Sequence, residues 1–139
     1  MASFNKFEQF VEDLGSGVYN LAAAGDTLMV YLSNATPSAS LDAVKADLAT
    51  ITEQNGYAAA DVQNDYSQTS GTGTLTGTDV VWTATGAGFG PGRYVALYDD
   101  TPTSPADPLI GWWDYGSSVS PAVDETFTVD FGASILTLA

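Results

Sequence analysis

The chain has 139 residues and a formal charge of −14, with 17 carboxylates set against Lys6, Lys45 and Arg93. It contains no cysteine and no histidine, which excludes a disulfide framework, a thiolate nucleophile, and imidazole chemistry at zinc or as a neutral-pH base. Nucleic acid is excluded as a partner, because binding to it rests on Lys and Arg displacing counterions. Anionic membrane surfaces are disfavoured for the same reason. The length suits one domain with its own core. The opening MASFNKFEQF lacks the charged-then-apolar pattern of a signal segment, and no run reaches membrane-spanning length, so a soluble protein is expected.

Phe4, Phe7, Val11 and Leu14 recur at three- and four-residue spacing, with Glu8, Glu12 and Asp13 between them. The pattern predicts an amphipathic helix, with Asn5 and Glu8 as a capping pair and Gly15 as its stop. Residues 1–24 then form a helical arm ahead of a β-domain at 25–139. The helix packs either on its own sheet or, through the same four side chains, on a neighbouring chain.

DTLMVYLS (26–33) reads as the first strand, and LDAVKADLATITE (41–53) as a short helix. Residues 57–77 are polar and small, with threonines alternating through Thr72–Thr78, and read as an exposed strand or hairpin. DVVWTAT (79–85) is a strand, and GAGFGPG (86–92) is a hairpin loop rather than a phosphate cradle, since no helix N-terminus follows it. YVALY (94–98) and LIGWW (109–113) make a strand pair around a loop holding Pro102, Pro105 and Pro108. Both faces of YVALY are apolar, so something must cover each of them. Residues 116–123 read as a loop. ETFTVDF (125–131) and SILTLA (134–139) read as a C-terminal hairpin. The elements together predict a mainly β protein: an antiparallel β-sandwich, jelly-roll-like, with one N-terminal helix.

Motifs for chemistry are sparse. Asp99 and Asp114 are candidates for a carboxylate pair of glycosidase type, though loop-end aspartates are more often solvated. Asp99, Asp100 and Asp107 are the residues from which a calcium site would be built, but EF-hand spacing is absent. No catalytic, cofactor or metal site is assigned. Adjacent Trp112 and Trp113 point to opposite faces of a strand, so one is core and the other lies under the helix or at an interface. The candidate protein-interface residues are Phe4, Phe7, Val11, Leu14, Trp113 and Tyr115.

The stretches ASFNKFEQFVEDL, DTLMVYLSNATP, GRYVALYDDTP, LIGWWDYGSSV, ETFTVDF and ILTLA resemble small virion proteins of tailed bacteriophages, similar in role to capsid decoration, or cement, proteins. The resemblance spans about two-thirds of the chain and omits residues 38–70. It implies a non-enzymatic protein made in the host cytoplasm. It also implies a place on the outer capsid surface, against the major capsid protein, with trimers favoured. A different expectation is a tail or head-fibre component that binds host-surface glycan through aromatic residues. An exposed aromatic cluster near Trp113 and Tyr115 would favour the glycan binder. A continuous apolar flank along the N-terminal helix would favour the decoration protein.

Overall fold

The computed structural model describes residues 2–139. The chain is mainly β, with antiparallel pairing throughout and one α-helix. A five-stranded sheet forms the frame. Its order is β1 (Phe4–Lys6), β8 (Leu109–Val119), β7 (Gly92–Asp99), β2 (Leu28–Ser33) and β3 (Ala60–Asp61). A three-stranded sheet holds β10 (Leu136–Leu138), β5 (Thr72–Thr76) and β4 (Asp65–Thr69), and a two-stranded one joins β6 (Val80–Thr83) to β9 (Thr126–Val129).

Residues opposite one another in an antiparallel ladder share a face. Val95 is opposite Trp113 on one side and Leu32 on the other, so these three look inward together. They meet the smaller sheets: Trp113 packs 5.6 Å from Phe131, and Tyr115 lies 5.2 Å from Phe127. Side chains from all three sheets merge in one hydrophobic cluster, which is sandwich-like layering. The pairings are divided among three sheets, and they do not establish the two Greek-key sheets of a jelly roll.

The opposite face of the frame carries Tyr31, Tyr94, Ala96, Tyr98 and Trp112. Its cover comes from the chain itself. Residues 34–51 run across it largely without regular structure: Tyr31 donates to the Leu48 carbonyl at 2.7 Å, and Ile51 N–H donates to Leu32. The Lys45 ammonium lies 4.8 Å from the centre of the Tyr98 ring and 5.5 Å from that of Tyr31, a cation–π arrangement.

Several expected elements differ. Residues 41–53 form only a 3₁₀ turn at Lys45–Asp47, where the Asp47 carboxylate accepts Ala43 and Val44 N–H and is held below the usual carboxylate range by them. Leu41 and Leu48, which share one side of the expected helix, separate: Leu41 is 79% exposed and Leu48 is buried. The glycine-rich stretch at 86–92 is a crossover between sheets rather than a hairpin loop, because β6 pairs with β9 and not β7. Residues 116–119 continue β8, held by the pairing of Val119 with Gly92. The C-terminal hairpin does not form: β9 joins β6, while β10 joins β5 with Leu136 opposite Leu75. The polar stretch does contain a hairpin, β4–β5, turning through Ser70 and Gly71 in left-handed backbone.

The N-terminus is corrected most. Phe4–Lys6 is a strand on the edge of β8, with Phe4 opposite Trp113 and their rings 5.3 Å apart. Helix α1 spans Glu8–Gly15, and Gly15 is its end as expected. Phe7 is its N-cap, in extended conformation and without a side-chain cap bond. The Asn5 amide instead donates to the Ser3 and Trp112 carbonyls. Pairing with β8 satisfies one edge of the backbone at residues 4–6, and this tertiary gain overrides local helical periodicity. It also rotates the helix, so Phe10 and Asp13 face inward while Val11 is 53% exposed.

Gly111 permits this edge pairing, since a Cβ there would strike the Phe4 ring and the Asn5 carbonyl. Gly111→Ala is expected to cost about 1–3 kcal/mol by displacing β1. In a Phe4→Ala background the added cost should shrink, because the ring is gone. Urea denaturation of the four chains checks this, and equal costs in both backgrounds would contradict it.

Candidate functional site

The two terminal segments place two open sheet edges beside one groove. Among the described residues β1 pairs only with β8, and β10 only with β5, so each leaves one edge without a ladder partner. Between them lies a groove of about 450 Å³ lined by Phe4, Lys6, Phe10 and residues 134–138. A second groove of about 270 Å³ continues from Leu138 along Leu14, Tyr19, Leu21, Ala22 and Tyr66. The result is an apolar seam along the inner flank of α1, with Lys6 as the one cation among the described residues that line it. Strand alternation explains the lining: Leu136 and Leu138 lie on one side of β10, and both are half-buried.

The six expected interface residues separate. Phe4 and Leu14 line the seam. Phe7 is fully buried, with its ring 4.6 Å from Trp112, and so belongs to the core. Trp113 is core as well, 4% exposed between Phe4 and Phe131. Neither is free to meet a partner. Val11 points to solvent, away from the seam. Tyr115 lines a different groove, of about 500 Å³, formed by the outer part of β8, residues 119–121 and β9. Phe127 lies beneath it, with Ser120, Glu125, Thr126 and Thr128 supplying polar groups. Burial, aided by Asp130 and Asp79, pushes the Tyr115 phenol up.

Sequence reasoning missed Phe10, Lys6, Leu136 and Leu138. Phe10 stands three residues after Phe7, so a helix started one turn later would have included it. The C-terminal leucines had a visible signal in their alternation, but an unpaired strand edge depends on sheet order, which alternation does not encode.

The aspartates do not assemble as expected. Asp114 is opposite Tyr94 and Asp99 ends β7 five residues further on, a separation of about 16 Å along the strand. They are not a glycosidase pair. Asp114 instead accepts both Nε and Nη2 of Arg93, at 2.9 and 3.1 Å, and that guanidinium holds its carboxyl below the usual range. Among the described residues no three acidic side chains gather into a metal cage, so Asp100 and Asp107 do not join Asp99. Asp99 is fully buried and lies against Asp26. Burial first, and then the Asp26 carboxyl, push it up to about 8.

No protein-family model, curated protein or solved structure matches the chain. Among the described residues no helix is long and apolar enough to cross a membrane.

Proposed function

We propose that this chain is a non-enzymatic structural protein of a phage virion, a head decoration protein that grips the outer capsid surface and stabilises the shell. The observation that carries this reading is the apolar seam between two open strand edges, continuous along α1 from Phe4 to Leu138. An apolar flank shared with the N-terminal helix is what a docking protein needs, and open edges accept strand addition from a neighbour. The charge of −14 supports a place outside the shell, away from packaged nucleic acid. The partners are the major capsid protein and further copies of this chain, with a trimer favoured.

Leu136→Ser combined with Leu138→Ser tests the proposal. Both side chains are half-buried on an edge strand, so the double variant should lose only about 1–2 kcal/mol of stability. Co-sedimentation with phage heads, or self-association in analytical ultracentrifugation, should weaken by about tenfold or more. A variant that melts far earlier, yet binds heads in proportion to its folded fraction, would mean the seam is only core.

The groove at Tyr115 favours a second reading. An aromatic floor with Ser120, Thr126, Thr128 and Glu125 around it fits a sugar ring, as a tail or head-fibre component binding host-surface glycan would require. Trp113 takes no part in it, which leaves the aromatic surface small. Glycan binding that disappears in Tyr115→Ala and survives the leucine substitutions would select this reading instead.

A further inference from the structure

We infer that Asp26 and Asp99 share a single proton, and that this pair latches the end of the N-terminal arm to the central strand. Asp99 is the last residue of β7 and has no solvent exposure. Its backbone N–H donates to Pro108, and its Oδ1 accepts Thr101 N–H at 3.0 Å. Its Oδ2 is buried and has no donor. Leu28 is opposite Asp99 and Asp100 N–H donates to the Thr27 carbonyl at 2.9 Å, which brings Asp26 alongside Asp99. The Asp26 Oδ2 accepts Asn20 N–H at 2.9 Å.

No cation among the described residues pairs with either carboxylate. Among the described residues the salt bridge is Arg93–Asp114, at the far end of the β7–β8 ladder. The titratable groups around Asp99 are Asp26 before β2, Asp100 next in the chain, and Tyr19 from the arm, which Asp13 of α1 also approaches. All are acidic. A fully buried carboxylate with one oxygen unpartnered and only acidic neighbours ionises at high cost, which favours a retained proton at Asp99. A hard cation would need six to eight oxygens, and among the described residues no three acidic side chains gather into a cation site.

The pair sits beneath the strap that returns the arm to the sheet. Asp26 N–H donates to Asn20 at 2.7 Å, Tyr19 donates to the Leu109 carbonyl, and Thr27 N–H donates to Thr101 Oγ1. Loss of the shared proton puts a second buried charge there and loosens residues 19–27. The folded chain keeps a proton that the unfolded chain releases near pH 4. The stabilisation is therefore complete below that value and lost as pH rises towards about 8, the folded value for Asp99. The inference stands whatever docks on the seam.

The sequence makes the test clean. With no histidine and no cysteine, only the α-amino group has an ordinary pKa in the window from about 6 to 8. Calorimetric unfolding of the intact chain, in buffers of contrasting ionisation enthalpy near pH ~6, should show about one proton released per molecule on unfolding. Tm should fall by roughly 9 °C between about pH 6 and 8.5, with amide protection at Asn20, Asp26 and Thr27 falling ahead of Tyr31. Asp99→Asn and Asp26→Asn should each flatten the Tm profile. A wild-type chain that releases no proton and holds its Tm across the window overturns the inference, and that measurement needs no variant. So does added calcium at about pH 8 raising the Tm of wild type but not of Asp99→Asn, since a cation would then bridge the pair.

Discussion

Phe7→Ala is expected to lower stability by about 3–5 kcal/mol, the range for truncating a fully buried aromatic side chain. The ring has no solvent exposure and lies 4.6 Å from Trp112. Its backbone N–H donates to the Ile110 carbonyl at 3.1 Å, so the residue fixes the corner where β1 passes into α1. Truncation removes the apolar contacts and leaves a cavity that this corner cannot collapse to fill. Phe4→Ala should cost less, about 1–2 kcal/mol, because its ring is only partly buried, at a sheet edge. Val11→Ala should stay within about 0.5 kcal/mol, since the side chain faces solvent. Denaturant midpoints at unchanged slope measure all three. A single helical stripe through Phe4, Phe7, Val11 and Leu14 would instead give Phe7 and Val11 comparable costs. That result would put the strand–corner–helix description in error.

The central strands were legible because their patterns are strong. Alternation in residues 28–33, 80–83 and 126–129, with the apolar run at 94–98, placed four strands close to their observed bounds, and the run at 109–113 placed the start of β8 but not its extension to Val119. The doubly apolar β7 also announced that both its faces are covered. What covers the second face was not legible, because residues 34–51 do it with the Leu48 carbonyl, the buried Leu48 and the ammonium of Lys45, in no repeating period. Strand partners were hidden for a related reason. A short turn at Gly132 and Ala133 made β9 and β10 look like a hairpin, whereas Ile135 is buried and its N–H donates to Leu75. Burying Ile135 and pairing Leu136 with Leu75 outweighs the local convenience of a tight turn.

The seam was half legible. Phe4 and Leu14 were in view, but treating residues 4–14 as one helix put Val11 on the wrong side and left out Phe10. The dense polar composition of residues 57–77 concealed more. Tyr57, Val62, Asn64 and Leu75 are all buried there, each alone among small polar neighbours. Tyr57 reaches the Leu32 N–H at 2.8 Å and packs its ring against Trp82 and Phe89. An isolated buried residue carries no periodic signal, and its role follows only from the partners that the fold brings to it.

Asn64 is the clearest of these, and Asn64→Ala is expected to cost about 2–4 kcal/mol. Its side chain is 5% exposed and joins three segments. Oδ1 accepts the Leu28 N–H at 3.1 Å, where β2 begins. Nδ2 faces the Leu21, Asp26 and Ala22 carbonyls at 2.9, 3.1 and 3.4 Å, which ties the arm to that strand. Alanine leaves a buried N–H and several carbonyls without partners, and each buried polar group that stays unpaired costs about 1–3 kcal/mol. Asn64→Asp should be worse than alanine. It replaces the donors with acceptors against the same three carbonyls and adds a negative charge beside Asp26. Hydrogen exchange should show the damage as local, with protection lost over residues 20–28 before the β7–β8 pair. An Asn64→Ala chain within about 0.5 kcal/mol of wild type would mean that water enters and satisfies these groups, and that the arm is held by its apolar contacts alone.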